Sequence, residues 1–394
     1  MSIKKFFQDN KFPIYAFLAW RILIFIPIFI ALFIFPLQKN FLGGGLENYS
    51  KTPWFWAWAN FDGEHYISIA QNGYGNGEQA FFPLYPLLIR SVSQLINNSI
   101  LTYAVVGMLI SNLSFLIALI GLYKLVSLDY KKSIAKLTVL LLLLFPTSFY
   151  FGSVYTESLF LALVVWSFYF ARKGKWLIAV VLGMFTSATR VIGIVMLPVL
   201  LIELLKQRKN NEATRLPVGQ VKQFSNLLFI ASVPLGLLVY MLYLSQTTGD
   251  SLAFIHSLSS FGEQRSATPI LLPQVFYRYF FKILPNLIYS YFPIVVSTFL
   301  ELFLAILFSL LSIFAFFKVR LSYAVYLALG YLAPSLSGSF SSLPRYVLVL
   351  FPAFILMAAW VTTLGWSYRI LFYAFSFILL LISSMLFLRG YWIS

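Results

Sequence analysis

Apolar runs of bilayer length recur from one end of this chain to the other, and no other feature limits its fold as strongly. A helix crossing the ~30 Å hydrocarbon core needs about 20 apolar residues. Candidate runs are 14–36, 101–123, 134–151, 156–171, 176–205, 224–245, 285–317, 321–340, 346–365 and 370–388. Backbone in hydrocarbon must satisfy its own hydrogen bonds, so the runs predict an all-α integral membrane protein. Charged residues make up only 10% of the 394, with a mean hydropathy of +0.86; a soluble domain carries about 25%. The runs leave no room for a separate soluble domain, so residues 1–394 read as one membrane-embedded unit. The basic stretch from Met1 to Lys11 runs into a long apolar segment with no small-residue cleavage site, which predicts a retained first helix.

The formal net charge of +16 would suggest nucleic acid in a soluble chain. Here the cations sit in short loops between apolar runs, so they report topology, and nucleic acid is excluded as a partner. The run 176–205 has Lys and Arg at both ends, which places both ends in the cytoplasm. One span cannot do that. Two half-helices, 176–189 and 191–205, can; each is about 21–23 Å long at 1.5 Å per residue. The break then falls at Ala188-Thr189-Arg190-Val191, below the outer surface. This predicts about eleven helices, with the N-terminus inside and the C-terminus outside. Of the 28 Lys and Arg, 18 fall in inner segments and 9 in outer ones, with Arg21 inside the first helix. Two long outer segments, 37–100 and 246–284, hold most of the polar sequence, so the chemistry is expected on that side. Within the first, 81–96 is amphipathic: Phe81, Leu84, Leu88 and Leu95 share one face, and Arg90, Ser91 and Gln94 the other. That pattern suits a helix lying in the membrane interface. The stretch 206–222 reads as a cytoplasmic linker.

The densest polar cluster is Phe61-Asp62-Gly63-Glu64-His65-Tyr66, after the aromatic run Trp54, Phe55, Trp56, Trp58. Asp62 is the natural general base, because a carboxylate near an apolar membrane surface is desolvated and made more basic. The plainer alternative is a helix cap beside an aromatic belt. Arg190 interrupts a long apolar run, where an arginine is costly unless paired. At a broken helix it suits a lipid-linked phosphate; otherwise it forms an ion pair, for instance with Glu157. Arg345, in Ser341-Ser342-Leu343-Pro344-Arg345-Tyr346, offers a fork that matches phosphate oxygens, or serves as an interfacial anchor. In the second outer segment Arg265 is a further phosphate candidate, and His256 a substrate contact or a structural hydrogen-bonder; Glu263 lies nearby. Glu301 sits near the outer end of an apolar run. No cysteine is present, which removes thiol and thiolate chemistry. No nucleotide-type glycine loop or Asp-x-Asp occurs, so no resident cofactor is expected; a divalent cation at Asp62 and Glu64 is a secondary option. Without a nucleotide fold, outer-side sugar transfer requires a lipid-linked donor.

The stretch Phe61 to Ala70, then Asn72-Gly73-Tyr74 and Ala80-Phe81-Phe82-Pro83-Leu84-Tyr85-Pro86, resembles the PIG-V-type mannosyltransferases. Their signature runs W-D-x-x-H-[FY]-x-x-I-A-x-x-G-Y and then A-F-F-P-x-x-P; Phe61 replaces the usual Trp and keeps an aromatic there. Weaker matches occur at Ala188-Thr189-Arg190, at Gly249 to Phe254, and at Ser342 to Tyr346. The resemblance implies a GT-C fold, a polyprenyl- or dolichyl-phosphate mannose donor, inversion at the anomeric carbon, and Asp62 as the catalytic residue. The acceptor would be a glycolipid, glycan or protein. Substrate contacts implied or suspected are Glu64, His65, Tyr66, Glu157, Arg190, His256, Arg265, Arg345 and Tyr346. A competing reading is a polytopic transporter or lipid-linked-sugar flippase, which a broken helix pair also suits; a non-catalytic assembly subunit is a third.

Overall fold

A computed structural model describes residues 3–213, 226–257 and 268–393. Arg265, Glu263 and the 214–222 part of the expected linker lie outside the described residues. Those that are described form helices and no strand. In chain order the helices used below are α1 (Lys11–Ile34), α2 (Asp62–Asn72), α3 (Leu84–Ser93), α4 (Ile100–Val126), α5 (Lys132–Leu143), α6 (Glu157–Arg172), α7 (Trp176–Thr189) and α8 (Met196–Ala213). They continue with α9 (Leu235–Thr248), α10 (Leu272–Arg278), α11 (Phe292–Lys318), α12 (Leu321–Ser335), α13 (Leu343–Tyr346), α14 (Phe351–Val361) and α15 (Trp366–Leu388).

Among the described residues, α1, α4, α11 and α15 can cross a bilayer by length and apolar composition, or up to five spans result if the pair Leu343–Val349 and Phe351–Val361, bent by 82°, counts as one. The count of eleven is therefore not reproduced. Proline is the physical reason at several runs, since it cannot continue a helix through its interior. The run 134–151 stops at Leu143 ahead of Pro146 and resumes as a 3-10 turn over Ser148–Gly152. The run 346–365 is broken at Leu350, with Pro352 opening α14. Pro234 caps α9, and Pro293 sets the start of α11. The expected break near Arg190 is present: α7 ends at Thr189, Arg190 is extended, and a 3-10 turn leads into α8. Gly193 permits this fold-back, because a Cβ there would lie 2.2 Å from the Thr186 carbonyl.

The long helices turn large apolar side chains outward, among them Ile22, Phe33, Phe317 and Phe375, the last three at 91%, 77% and 53% exposure. Water does not tolerate that belt, and the protein is an integral membrane protein. On α3, Tyr85, Pro86 and Ile89 face the protein while Leu87, Leu88 and Val92 point outward; the expected apolar face is split, with Leu88 and Leu95 exposed but Phe81 buried. The interior is aromatic: Phe115 stacks on Phe151 at 4.1 Å, and Trp20 meets Phe115 edge-on at 4.8 Å.

One end of the bundle is closed by charge. Arg172 forks onto Asp129 at 2.6 and 2.8 Å and reaches Glu203 at 3.3 Å. Arg320 donates to Glu203 at 2.7 Å, and Ser322 to its other oxygen at 3.0 Å. All four charged residues are ones that charge counting assigns to the inner side. Glu203 is fully buried, and removing one partner of such a pair costs about 3–5 kcal/mol. Glu203→Ala should lower the thermal unfolding midpoint of the detergent-solubilised protein by several degrees; an unchanged midpoint would show that the cluster does not hold α6, α8 and α12 together.

Candidate active site

Asp62 is the first residue of α2, and the chain bends sharply to place it there. Phe61 has φ 58°, a conformation that costs a bulky residue about 1–3 kcal/mol. Phe41 and Ser342 are the other non-glycine residues with positive φ among those described. The Phe61 amide donates to the Phe41 carbonyl at 2.8 Å, and Ser342 immediately precedes α13. All three strained positions thus border one site. Asn60 holds the bend in place: its Oδ1 accepts from the Gly43 amide at 2.9 Å, and its Nδ2 donates to the Phe387 carbonyl at 3.0 Å. Its carbonyl accepts from the Tyr155 hydroxyl at 3.0 Å.

Arg345 is carried by the short turn α13, whose Pro344 carbonyl accepts from buried Thr147 at 2.7 Å. Arg345 is 6% exposed, and its Nη1 donates to Oδ2 of Asp62. Its Nε lies 3.6 Å from Oε1 of Glu157, the first residue of α6. That same oxygen accepts from Nη1 of Arg190 at 2.5 Å. The result is a chain of alternating charge, Asp62–Arg345–Glu157–Arg190, joining four remote segments. The Tyr346 ring lies 5.3 Å from the Arg345 guanidinium and 5.0 Å from that of Arg190. Arg345 also sits over Tyr155 at 5.4 Å, and such contacts add about 0.5–2 kcal/mol each.

On its other side Asp62 borders an open cavity of about 540 Å³. Its lining includes Gln38, Asn40, Phe41, His65, Ser297, Thr298, Glu301, Tyr391 and Trp392. Gly390 closes one wall; with φ 80° and the Gln38 carbonyl 2.7 Å from where a Cβ would sit, only glycine fits. Among the described residues, no lining side chain is Lys or Arg.

The sequence-predicted residues divide clearly. Asp62, Glu157, Arg190, Arg345 and Tyr346 meet in one cluster, and His65 shares the cavity with Asp62. Tyr66 is buried against Tyr85 at 5.1 Å and Phe81 at 5.2 Å, as packing. His256 pairs with Asp250 at 2.6 Å on an exposed turn, where it holds the Asp250 carboxyl below its ordinary value; it makes no described contact with the Asp62 cluster. A cation shared by Asp62 and Glu64 does not fit, because residues two apart on a helix do not face each other and Arg345 already occupies Asp62. Asn60, Glu78, Ser297 and Trp392 were missed in the sequence. Glu78 Oε1 lies 3.1 Å from His65 Nδ1, and the His65 ring stacks on Phe81 at 4.7 Å. The one available signal for Asn60 was a polar residue inside an aromatic run.

Burial pushes the Glu64 carboxyl up to about 7, against the opposing pull of His65 and the Gly45 amide. At His65 burial disfavours the charge, yet the bond to Glu78 and the Asp62, Glu78 and Glu64 charges outweigh it and raise the imidazole. A carboxyl raised on folding binds more protons in the native state, so its contribution is present below about 4.5 and lost as pH rises to about 7. Glu64→Gln should therefore flatten the fall in unfolding midpoint between pH 5 and pH 8, by an amount of order 3 kcal/mol at most. An unchanged slope would remove Glu64 as its source.

No curated protein matches the chain. Among solved structures, the Archaeoglobus fulgidus oligosaccharyltransferase, crystallised with zinc and sulfate, is similar at 12% identity and a TM-score of 0.44. The match covers 94% of this chain and 53% of that one, so the chain spans about half its length. The family profile for mannosyltransferase (PIG-V) matches residues 17–247, a stretch that contains Asp62, Glu157 and Arg190. That is more than half of the sequence, and the chain belongs to the PIG-V mannosyltransferase family.

Proposed function

We propose that this membrane glycosyltransferase moves mannose from a polyprenyl- or dolichyl-phosphate donor to an acceptor hydroxyl at the non-cytoplasmic face, inverting the anomeric centre within a GT-C-type bundle. The observation that carries the reading is Asp62, fixed on one oxygen by Arg345 and set against an open cavity on its other side. The cation count, 18 inner to 9 outer, supports the face.

In this mechanism Asp62 takes the proton from an acceptor hydroxyl. The oxygen attacks the anomeric carbon from the face opposite the lipid phosphate. The bond from that carbon to the phosphate oxygen breaks, and its electron pair leaves with the phosphate. One displacement inverts the centre, and a phosphate needs no separate acid, unlike a glycosidase leaving group. Arg345, engaged by Asp62 and close to Glu157, is the positioning residue for the base. Arg190 is the phosphate candidate: among the described residues its only hydrogen-bond acceptor is Glu157, and its side chain is 14% exposed. Its remaining N–H groups suit an oxygen whose charge grows as the bond breaks. His65 and Glu64 line up the acceptor or the base, with Arg265 as a further phosphate contact.

Synthetic polyprenyl-phosphate [14C]mannose tests the reading. Asp62→Asn should lower turnover by about 10²–10⁴, the usual worth of a general base, while donor binding persists. If wild type neither binds nor consumes a lipid-phosphate sugar, the proposal fails. Arg345→Lys supplies the charge but cannot fork between Asp62 and Glu157. It should reduce kcat by about tenfold or more, with donor KM changed by less than about threefold. A rise in donor KM alone would instead assign Arg345 to the phosphate.

A further inference from the structure

We propose that Trp392 is a positioning residue for the transfer step. Its ring packs at once on Phe61, the residue before Asp62, and on the Arg345 guanidinium bonded to Asp62, and so keeps the two together. This deepens the transfer reading above and rests on it.

The segment that follows α15 is tied into the site. Its carbonyls accept from remote side chains: Phe387 from Asn60 at 3.0 Å, Leu388 from the Tyr49 hydroxyl at 2.5 Å, and Ile393 from the Tyr150 hydroxyl at 2.8 Å. The Arg389 carbonyl accepts from the Gln38 amide at 3.0 Å, and its Nε donates to the Phe35 carbonyl at 2.9 Å. Gly390, at φ 80°, turns the chain, and Ile393 is fully buried beyond that turn. Trp392 is therefore anchored on both sides, and its ring stands in the same cavity lining as Asp62. Each bond fixes backbone that would otherwise keep its conformational freedom, so the place of Trp392 is determined by the fold.

Two sets of rings meet at this residue. Against Phe61 stand Phe41 at 6.3 Å, Phe387 at 5.8 Å and Trp392, edge-on, at 4.9 Å. Around the Arg345 guanidinium stand Tyr346 at 5.3 Å, Tyr155 at 5.4 Å, and Tyr150 and Trp392 at 5.8 Å each. Trp392 belongs to both. The first contact matters because the Phe61 φ of 58° persists only while its surroundings over-determine it. With the nearest ring gone the bend has a route to relax, and Asp62 is the next residue. The second matters because a guanidinium attached to Asp62 through one nitrogen pivots about that bond, and a ring face beside it opposes the pivot. The indole N–H adds nothing to either contact: it is buried and has no acceptor among the described residues. A phenyl ring at 392 thus loses no hydrogen bond, whereas an aliphatic side chain loses the face over Arg345. That difference separates positioning from mere filling of space.

Transfer from polyprenyl-phosphate [14C]mannose by the full-length protein in detergent tests the assignment. Trp392→Leu should lower kcat by about tenfold or more, with donor binding within about twofold of wild type and the unfolding midpoint unchanged. Trp392→Phe should keep at least about a third of wild-type kcat. Because Trp392 acts through Arg345, adding Trp392→Leu to Arg345→Lys should cost less than about threefold more. If Trp392→Leu does not fold, a trifluorinated tryptophan at 392 replaces it; this keeps the shape, weakens the negative ring face, and should lower kcat by about threefold or more. Unchanged kcat in the folded variant, an equal fall in Trp392→Phe, losses that multiply in the double variant, or a matching loss of donor binding would each overturn the assignment. The two readings fail separately. A wild type that consumes no lipid-phosphate sugar defeats the transfer reading and this one with it, whereas wild-type turnover that Trp392→Leu retains defeats this one alone.

Discussion

Two carboxylates and two guanidiniums, Asp62, Glu157, Arg345 and Arg190, hold the functional end of this molecule together. None of them could stay charged in a low-dielectric interior alone, since desolvating an unpaired ion costs several kcal/mol. Together they sum to zero net charge, and each satisfies another. The partners come from the first outer segment, the start of α6, the broken helix after α7 and the turn α13. Packing among apolar helices in lipid has little directional content, because lipid tails are as apolar as Leu. The ion-pair chain supplies that direction: it admits one relative placement of the four segments, and the catalytic candidate is one of its members.

The same dependence explains the strain beside it. A bulky residue at φ 58° persists only where the surroundings over-determine it. Phe61 is held by the Phe41 carbonyl, by Trp392 edge-on at 4.9 Å and by the three bonds of Asn60 next to it. Ser342 is followed by a turn tied down through Thr147. These devices bring two short turns close enough for Asp62 and Arg345 to meet. The opposite end uses another solution, a cluster of Asp129, Arg172, Glu203 and Arg320. Of two charge clusters of similar composition, the one that contains Asp62 borders the open cavity.

Much of this was legible in the sequence. The apolar runs gave membrane class, the double cationic flank of 176–205 gave the break at Arg190, and the Arg190–Glu157 pair was one of the two stated alternatives. Hydropathy could not show where helices stop, because Pro146 and Pro352 lie within runs that remain apolar on both sides. It could not show that Arg345 meets Asp62 either, since 283 residues separate them and no local pattern encodes a contact of that range. Glu301 was visible only as an acid near a helix end; that it shares a space with Asp62 depends on how α11 meets the first outer segment. Tyr66, in the same motif as Asp62, packs its ring in the core, which the local sequence did not show.

The pairing also changes how the arginines are understood. From the sequence, Arg190 and Arg345 looked like two equivalent clamps for a departing phosphate. In the fold they differ, because Arg345 is buried between two carboxylates and Arg190 is bonded to one. An arginine already bonded to the base and beside a second acid has little capacity to follow a charge that develops elsewhere. In the proposed mechanism its fixed geometry instead orients the Asp62 carboxylate. Arg190 then lies at one end of the ion-pair chain, and Asp62 at the other end borders the cavity. The proposed inverting displacement calls for base and nucleophile on one face of the sugar and the leaving phosphate on the other, which is the reason Arg345 and Arg190 are given different parts in that proposal.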